Sequence, residues 1–207
     1  MGKDTKQHLL EAGLDLLLRH GYNGLGIQDL LKATGTPRGS FYHYFTSKED
    51  FALQVVDRYM EEVHAGLEAC IHDAALPPLQ RARRFFELSR DKYARDGHLG
   101  CMLGALGQEL CTVSDVFAAK IDWCFSEVGR SIAIALEDAR QCGDLPADTD
   151  PEEMATLLLN CWEGAALRSR LRRDSAPLDQ MLDFYLAAAP RVSIAKTRNT
   201  RETIGPL

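Results

Sequence analysis

The apolar residues of this chain recur at helical spacing from one end to the other, and no stretch alternates with period two for long enough to make a strand. Leu9, Leu10, Gly13, Leu14, Leu17 and Leu18 mark one face of a first helix, which Gly21 is placed to end. Ile27, Leu30 and Leu31 mark a short second helix closed by Gly35, and Thr36-Pro37 leads into a third around Arg38–Tyr44. Ser47-x-x-Asp50 reads as a capping box that opens a longer fourth helix, with Phe51, Val55 and Tyr59 on its buried side. One fold class follows: all-α.

Pro77-Pro78 separates this head from a second helical region. Leu79, Phe85, Phe86 and Tyr93 imply a helix broken near Gly97, and a short helix starts at about Cys101. Ser114-Asp115 caps a long helix running to about Cys142, where Gly143 stops it. Asp150-Pro151-Glu152-Glu153 opens another, with proline at the first helical position, and Pro177 precedes a last helix over Leu178–Ala189. The polar tail after Pro190 is expected to fray. The pattern divides the chain into a head over 3–63 and a body over 78–190.

Charge is distributed unevenly. Residues 1–60 hold seven Lys/Arg and seven Asp/Glu, so the whole net charge of −6 belongs to the remainder. An acidic body with a neutral head fits a protein that meets nucleic acid through one local surface. The N-terminus has no signal-peptide h-region and no window has the ~18 apolar residues of a membrane span, so the expected location is cytoplasmic. Six cysteines without a C-x-x-C pair argue against a zinc site, and most should be free thiols that pack as small hydrophobes.

Three short helices joined by tight turns suit a helix-turn-helix, whose second paired helix enters the major groove. The decisive stretch is Thr36-Pro37-Arg38-Gly39-Ser40-Phe41-Tyr42-His43-Tyr44-Phe45. Phe41 and Phe45, four apart, anchor one face, while Tyr42 and His43 point elsewhere and Arg38 and Ser40 sit near the helix start. Gly39 keeps no side chain between backbone and ligand, and Lys48 begins the next helix, where an ammonium and free N–H groups meet a phosphate.

The string SFYHYF-x-SKE at 40–49, with Gly21-Tyr22, Ile27-x-x-Leu30 and Gly35, resembles the TetR family of bacterial repressors over roughly residues 5–60. The resemblance implies a three-helix DNA-binding head, a helical ligand-binding body and a homodimer joined through a four-helix interface. It implies DNA contact by Thr36, Arg38, Gly39, Ser40, Tyr42, His43 and Lys48, and a palindromic operator in double-stranded DNA read at half-sites one turn, about 34–36 Å, apart. Gly26 departs from the family pattern, which often has Ser or Thr capping the second helix; glycine is tolerated there.

Two strings in the body, Gly100-Cys101-Met102-Leu103-Gly104-Ala105-Leu106-Gly107-Gln108-Glu109-Leu110-Cys111 and Trp162-Glu163-Gly164-Ala165-Ala166-Leu167-Arg168-Ser169-Arg170, resemble the electrophile-sensing, N-ethylmaleimide-responsive and the acrylate-responsive repressors of that family. Cys101 follows a glycine at the start of a helix, where the helix dipole favours a thiolate that adds to activated alkenes and aldehydes. If Arg168 and Arg170 face a cavity, they hold the carboxylate of a small unsaturated acid or lower a thiol pKa, and Trp162 forms an apolar wall. The other reading of Arg168–Arg173 is a solvated basic face, and of Cys101, core packing. Arg170 stands where such sensors can carry a lysine, and arginine cannot act as a neutral amine.

No P-loop, G-x-S-x-G, H-E-x-x-H or dinucleotide fingerprint is present, so the chain is read as a regulator and not an enzyme, with no cofactor. A di-iron bundle needs two Glu-x-x-His pairs, and only Glu61-Glu62-Val63-His64 offers one. A helical interaction module without DNA binding is the competing class, and substitution of Arg38 or Tyr42 separates the two.

Overall fold

In the computed structural model, residues 2–191 are described, with side chains from residue 5 onward. The expected frayed tail beyond Pro190 lies almost wholly outside them. Nine α-helices appear among the described residues: α1 Gly2–Gly24, α2 Ile27–Thr34, α3 Arg38–Tyr44, α4 Lys48–Ile71, α5 Pro78–Arg95, α6 Met102–Leu110, α7 Asp115–Gln141, α8 Pro151–Arg172 and α9 Ala176–Ala188, followed by one 3₁₀ turn.

The ends of these helices have local causes. Gly21 breaks α1 with φ 69° and ψ −179°, leaving a last short turn to Gly24. Gly35, at φ 62°, closes α2: its N–H reaches the Lys32 carbonyl while the Thr36 N–H bonds the Leu31 carbonyl at 3.1 Å. Ser47 caps α4 by accepting from the Asp50 N–H at 3.0 Å, and the Asp50 carboxylate accepts from the Thr46 N–H at 2.7 Å. Ser114 and Asp150 cap α7 and α8 in the same manner. Gly26 caps α2 without a side-chain bond, as the sequence implied.

The head closes around Phe41, Phe45 and Phe51, whose ring centroids lie 4.9–5.4 Å apart. Gly13 lets α1 cross α4 closely, because a methyl there would run into Phe51. In the body α7 and α8 pack along each other, with α5 and α9 completing the bundle. The buried apolar residues form one continuous cluster through head and body. The helix α4 runs unbroken across the expected head boundary at 63. Four further ties cross the joint: Glu109 to the backbone of Tyr22 and Asn23, Ser114 to Glu49, Lys120 to Asp57, and the Tyr22 ring on Phe117.

All six cysteines are free, but Cys111 and Cys142 are exposed where packing in the interior was expected; they lie at the ends of α6 and α7, beyond the last buried turn.

Candidate nucleic-acid interface and effector pocket

The short helix α3 is too brief to be stable alone, so the aromatic cluster beneath it sets its shape. Phe41 and Phe45 are buried on its inner side, and Arg38, Gly39, Tyr42 and His43 are exposed on its outer side, with Ser40 half-buried between. Tyr42 is 50% exposed, with the Arg38 guanidinium 5.7 Å from its ring centroid. A methyl group on Gly39 would meet nothing inside the protein, so internal packing does not require glycine at this position.

Two residues expected on this surface are placed differently. Thr36 is only 9% exposed, in the turn where its backbone N–H bonds the Leu31 carbonyl. Lys48 is half-buried at the start of α4, and its ammonium rests 4.5 Å from the Tyr22 ring centroid. Burial lowers its pKa, opposed by the Glu109 carboxylate.

The second candidate site lies at the head–body joint. A pocket of about 290 Å³ is bounded by Arg19, His20 and Gly21 of α1, by Cys101, Gly104 and Glu109 around α6, and by Glu163 and Arg170 of α8. Cys101 forms its inner wall and is the N-cap of α6. Behind it is a narrow apolar cavity of about 40 Å³ that includes Tyr59, Tyr93 and Trp162. Trp162 is buried against Phe86, with ring centroids 4.7 Å apart, and lines this inner cavity and not the outer pocket. The Tyr59 hydroxyl is 3.9 Å from the Cys101 sulfur.

The expected acidity of Cys101 is reversed. Burial raises its pKa first and the Glu163 carboxylate adds to the rise, which outweighs the helix-terminal N–H groups of Gly104 and Leu103. The surroundings of the sulfur thus favour the thiol over the thiolate. Arg170 borders the pocket, but Arg168 is exposed and does not, since residues two apart on a helix face opposite ways. Arg172 and Arg173 are exposed too, so the solvated reading holds for that part of the run.

Sequence reasoning passed over Glu163, which lines both spaces and a third depression of about 410 Å³ between α7 and α8. Burial raises its pKa from 4.5 to about 7. The available signal was a single carboxylate within the apolar string Trp162–Leu167. Glu109, in the other string, was also missed. Among the described residues no group of His, Cys, Asp and Glu is placed to hold a metal ion, and no helix is long and apolar enough to cross a membrane.

A helix-turn-helix presented on a helical body, with a pocket at their joint, defines a one-component DNA-binding transcriptional regulator. The chain belongs to the TetR family: residues 9–55 match the family described as bacterial regulatory proteins, tetR family, and residues 78–185 match the tetracyclin repressor-like C-terminal domain. It is 38% identical to the transcriptional regulator AcuR of Cereibacter sphaeroides over 83% of this chain and 79% of that protein. It is 32% identical to the transcriptional repressor DhaR of a Mycobacterium species, over 89% of this chain and 91% of that one. The crystal structure of the reduced form of Escherichia coli NemR superposes with a TM-score of 0.82 at 30% identity, covering 91% of this chain and all (100%) of that one.

Proposed function

We propose that this regulator is a homodimeric repressor that grips a palindromic operator and lets go when a small electrophile or unsaturated acid occupies the pocket at the head–body joint. The observation that carries the reading is that Cys101 lines a pocket also lined by Leu17, Arg19, His20 and Gly21 of the DNA-binding head's own first helix. An occupant bonded to that sulfur presses on α1 as well as on α6. Trp162 then backs the site as an apolar wall, and Arg170 supplies a cationic rim for a carboxylate.

On the DNA side, Arg38, Gly39, Ser40, Tyr42 and His43 meet the major groove and its flanking phosphates, and Lys48 takes a phosphate once it leaves the Tyr22 ring. Thr36 sets the turn that aims them. The dimer is supported by an apolar face without a partner in the monomer: Leu157, Leu167 and Leu171 of α8, the last 69% exposed, and Phe184 of α9, 76% exposed. Gly164, in the middle of that stripe, opens onto free space and admits a second helix closely.

The test is operator binding by Cys101→Ser. Binding should match the wild type without effector and persist after treatment with N-ethylmaleimide, which releases the wild type. Release of the variant to the same extent would refute the thiol mechanism and leave noncovalent binding at the Arg170 rim.

A further inference from the structure

The same pocket raises a chemical difficulty whose answer lies in its own wall. A thiol whose pKa is raised is a poor nucleophile, and the N-terminus of α6 does not offset that rise. Something must take the proton as the sulfur attacks.

Glu163 and Cys101 face each other from α8 and the head of α6, and both border the outer pocket and the inner cavity. The Glu163 carboxylate raises the pKa of the Cys101 thiol, so the two groups interact across this space. Gly104, one turn into α6, makes this approach feasible: a methyl at that position would collide with Oε2 of Glu163. On the other side the Tyr59 hydroxyl lies 3.9 Å from the sulfur, and Lys92 sits 5.5 Å from the Tyr59 ring centroid. The titratable groups nearest the sulfur are Glu163 from α8, Tyr59 from α4 and Tyr93 from α5, and Arg19 and His20 of α1, Glu109 of α6 and Arg170 of α8 line the same outer pocket. Burial drives both phenols further from ionisation, and of the remaining groups Glu163 alone borders both the outer pocket and the inner cavity with the sulfur, which makes it the base best placed to act.

We propose that Glu163 is the general base that accepts the Cys101 proton as the sulfur adds to an activated alkene, and that Gly104 is the residue that lets it reach. The step balances without an oxidant. The S–H bond breaks with its proton passing to a Glu163 oxygen, the sulfur lone pair forms the S–C bond at the β-carbon, and the alkene π pair moves onto the conjugated carbonyl as an enolate. Protonation of the α-carbon from the Glu163 carboxyl restores the carboxylate, and the sum is addition of S–H across the double bond. The assignment rests on the reading of Cys101 as the reacting thiol.

The experiment follows the rate of N-ethylmaleimide adduct formation at Cys101, read by peptide mass spectrometry between pH 5.5 and 9 on the full-length protein. In the wild type the rate rises to a shoulder with a midpoint near 7, the value to which burial brings Glu163. Glu163→Gln loses that shoulder and is about 100-fold slower at pH 8, while Glu163→Asp keeps a shoulder. Wild-type and Glu163→Gln profiles that superimpose overturn the role of Glu163 while leaving Cys101 as the sensor. A wild-type rate that climbs tenfold per pH unit without a shoulder overturns it without recourse to any variant. Absence of a Cys101 adduct in the wild type, with Cys111 and Cys142 labelled, removes the thiol reading itself and the base with it.

Discussion

The Glu109 carboxylate accepts a hydrogen bond from the backbone N–H of Tyr22 at 2.8 Å, across 87 residues of chain, and its second oxygen takes the Asn23 N–H at 2.6 Å. Those two donors are free because Gly21 has broken α1 just before them. The same Tyr22 carries Lys48 on its ring and rests edge-on against Phe117. One short helix, α6, thus has the candidate sensor at its start and a grip on the DNA-binding head near its end.

Cutting that grip should separate sensing from release. Glu109→Ala is expected to cost about 1–2 kcal/mol in stability, since the lost bonds are charge-assisted but partly exposed. Its operator affinity should respond less to N-ethylmaleimide than that of the wild type, measured by fluorescence anisotropy. Full retention of the wild-type response would mean that coupling runs through α4 and the remaining ties across the joint.

Gly21 and Gly35 both have a positive φ, but only one is crowded. A methyl on Gly35 meets open space, whereas one on Gly21 would lie 2.6 Å from Oε2 of Glu109. Gly35→Ala should therefore lose about 1 kcal/mol from backbone strain alone. Gly21→Ala should lose more, because its backbone, at ψ −179°, lies in a region that is essentially glycine-only and because a methyl there also displaces the Glu109 carboxylate. Urea melts of the two variants compare them directly, and equal losses would dismiss both causes.

Arg38→Ala and Tyr42→Ala should weaken operator binding by about 10-fold or more while leaving the melting temperature near that of the wild type, since both side chains are exposed. If Arg38 meets a phosphate, its loss should also reduce the slope of log affinity against log salt by about 1. Unaltered binding in both variants would favour an interaction module that does not read DNA.

Glu163 leaves a signature in stability as well as in rate. Its pKa is raised by burial from 4.5 to about 7 in the folded protein, so the folded state keeps a proton that the unfolded state has released. Stability should therefore fall as pH rises between about 4.5 and 7, by no more than about 3 kcal/mol, and level off above. Glu163→Gln should flatten that segment of the curve. Denaturant titrations at pH 5 and 7.5 test the sign, and a wild type more stable at 7.5 by this group's contribution would contradict it.

The helix order and most helix ends were legible because they follow local rules: positive-φ glycines at 21, 35 and 143, serine caps at 47 and 114, and Asp150-Pro151 at the start of α8. The inner and outer faces of α3 were legible for the same reason, since Phe41 and Phe45 are spaced by one turn. Side-chain roles that depend on distant helices were not. Thr36 reads as a surface residue until its turn is closed on Leu31. Cys101 reads as a thiolate at a helix start until α8 brings a carboxylate to it and α4 and α5 take away the water. Glu109 reads as one more charge on an apolar helix until it meets backbone nitrogens from the head.

The aromatic cluster beneath α3 restricts what any effector can alter. Because Phe41, Phe45 and Phe51 hold the seven-residue helix from inside, the reading edge is stamped in one shape and does not soften when the body shifts. In the proposed dimer an effector then works as a caliper adjustment: each jaw keeps its profile and only the gap between jaws changes. A duplex carrying a single half-site should accordingly be bound with the same affinity before and after modification of Cys101, whereas the full palindrome is lost. Half-site binding that falls along with the palindrome would show that the jaw itself deforms.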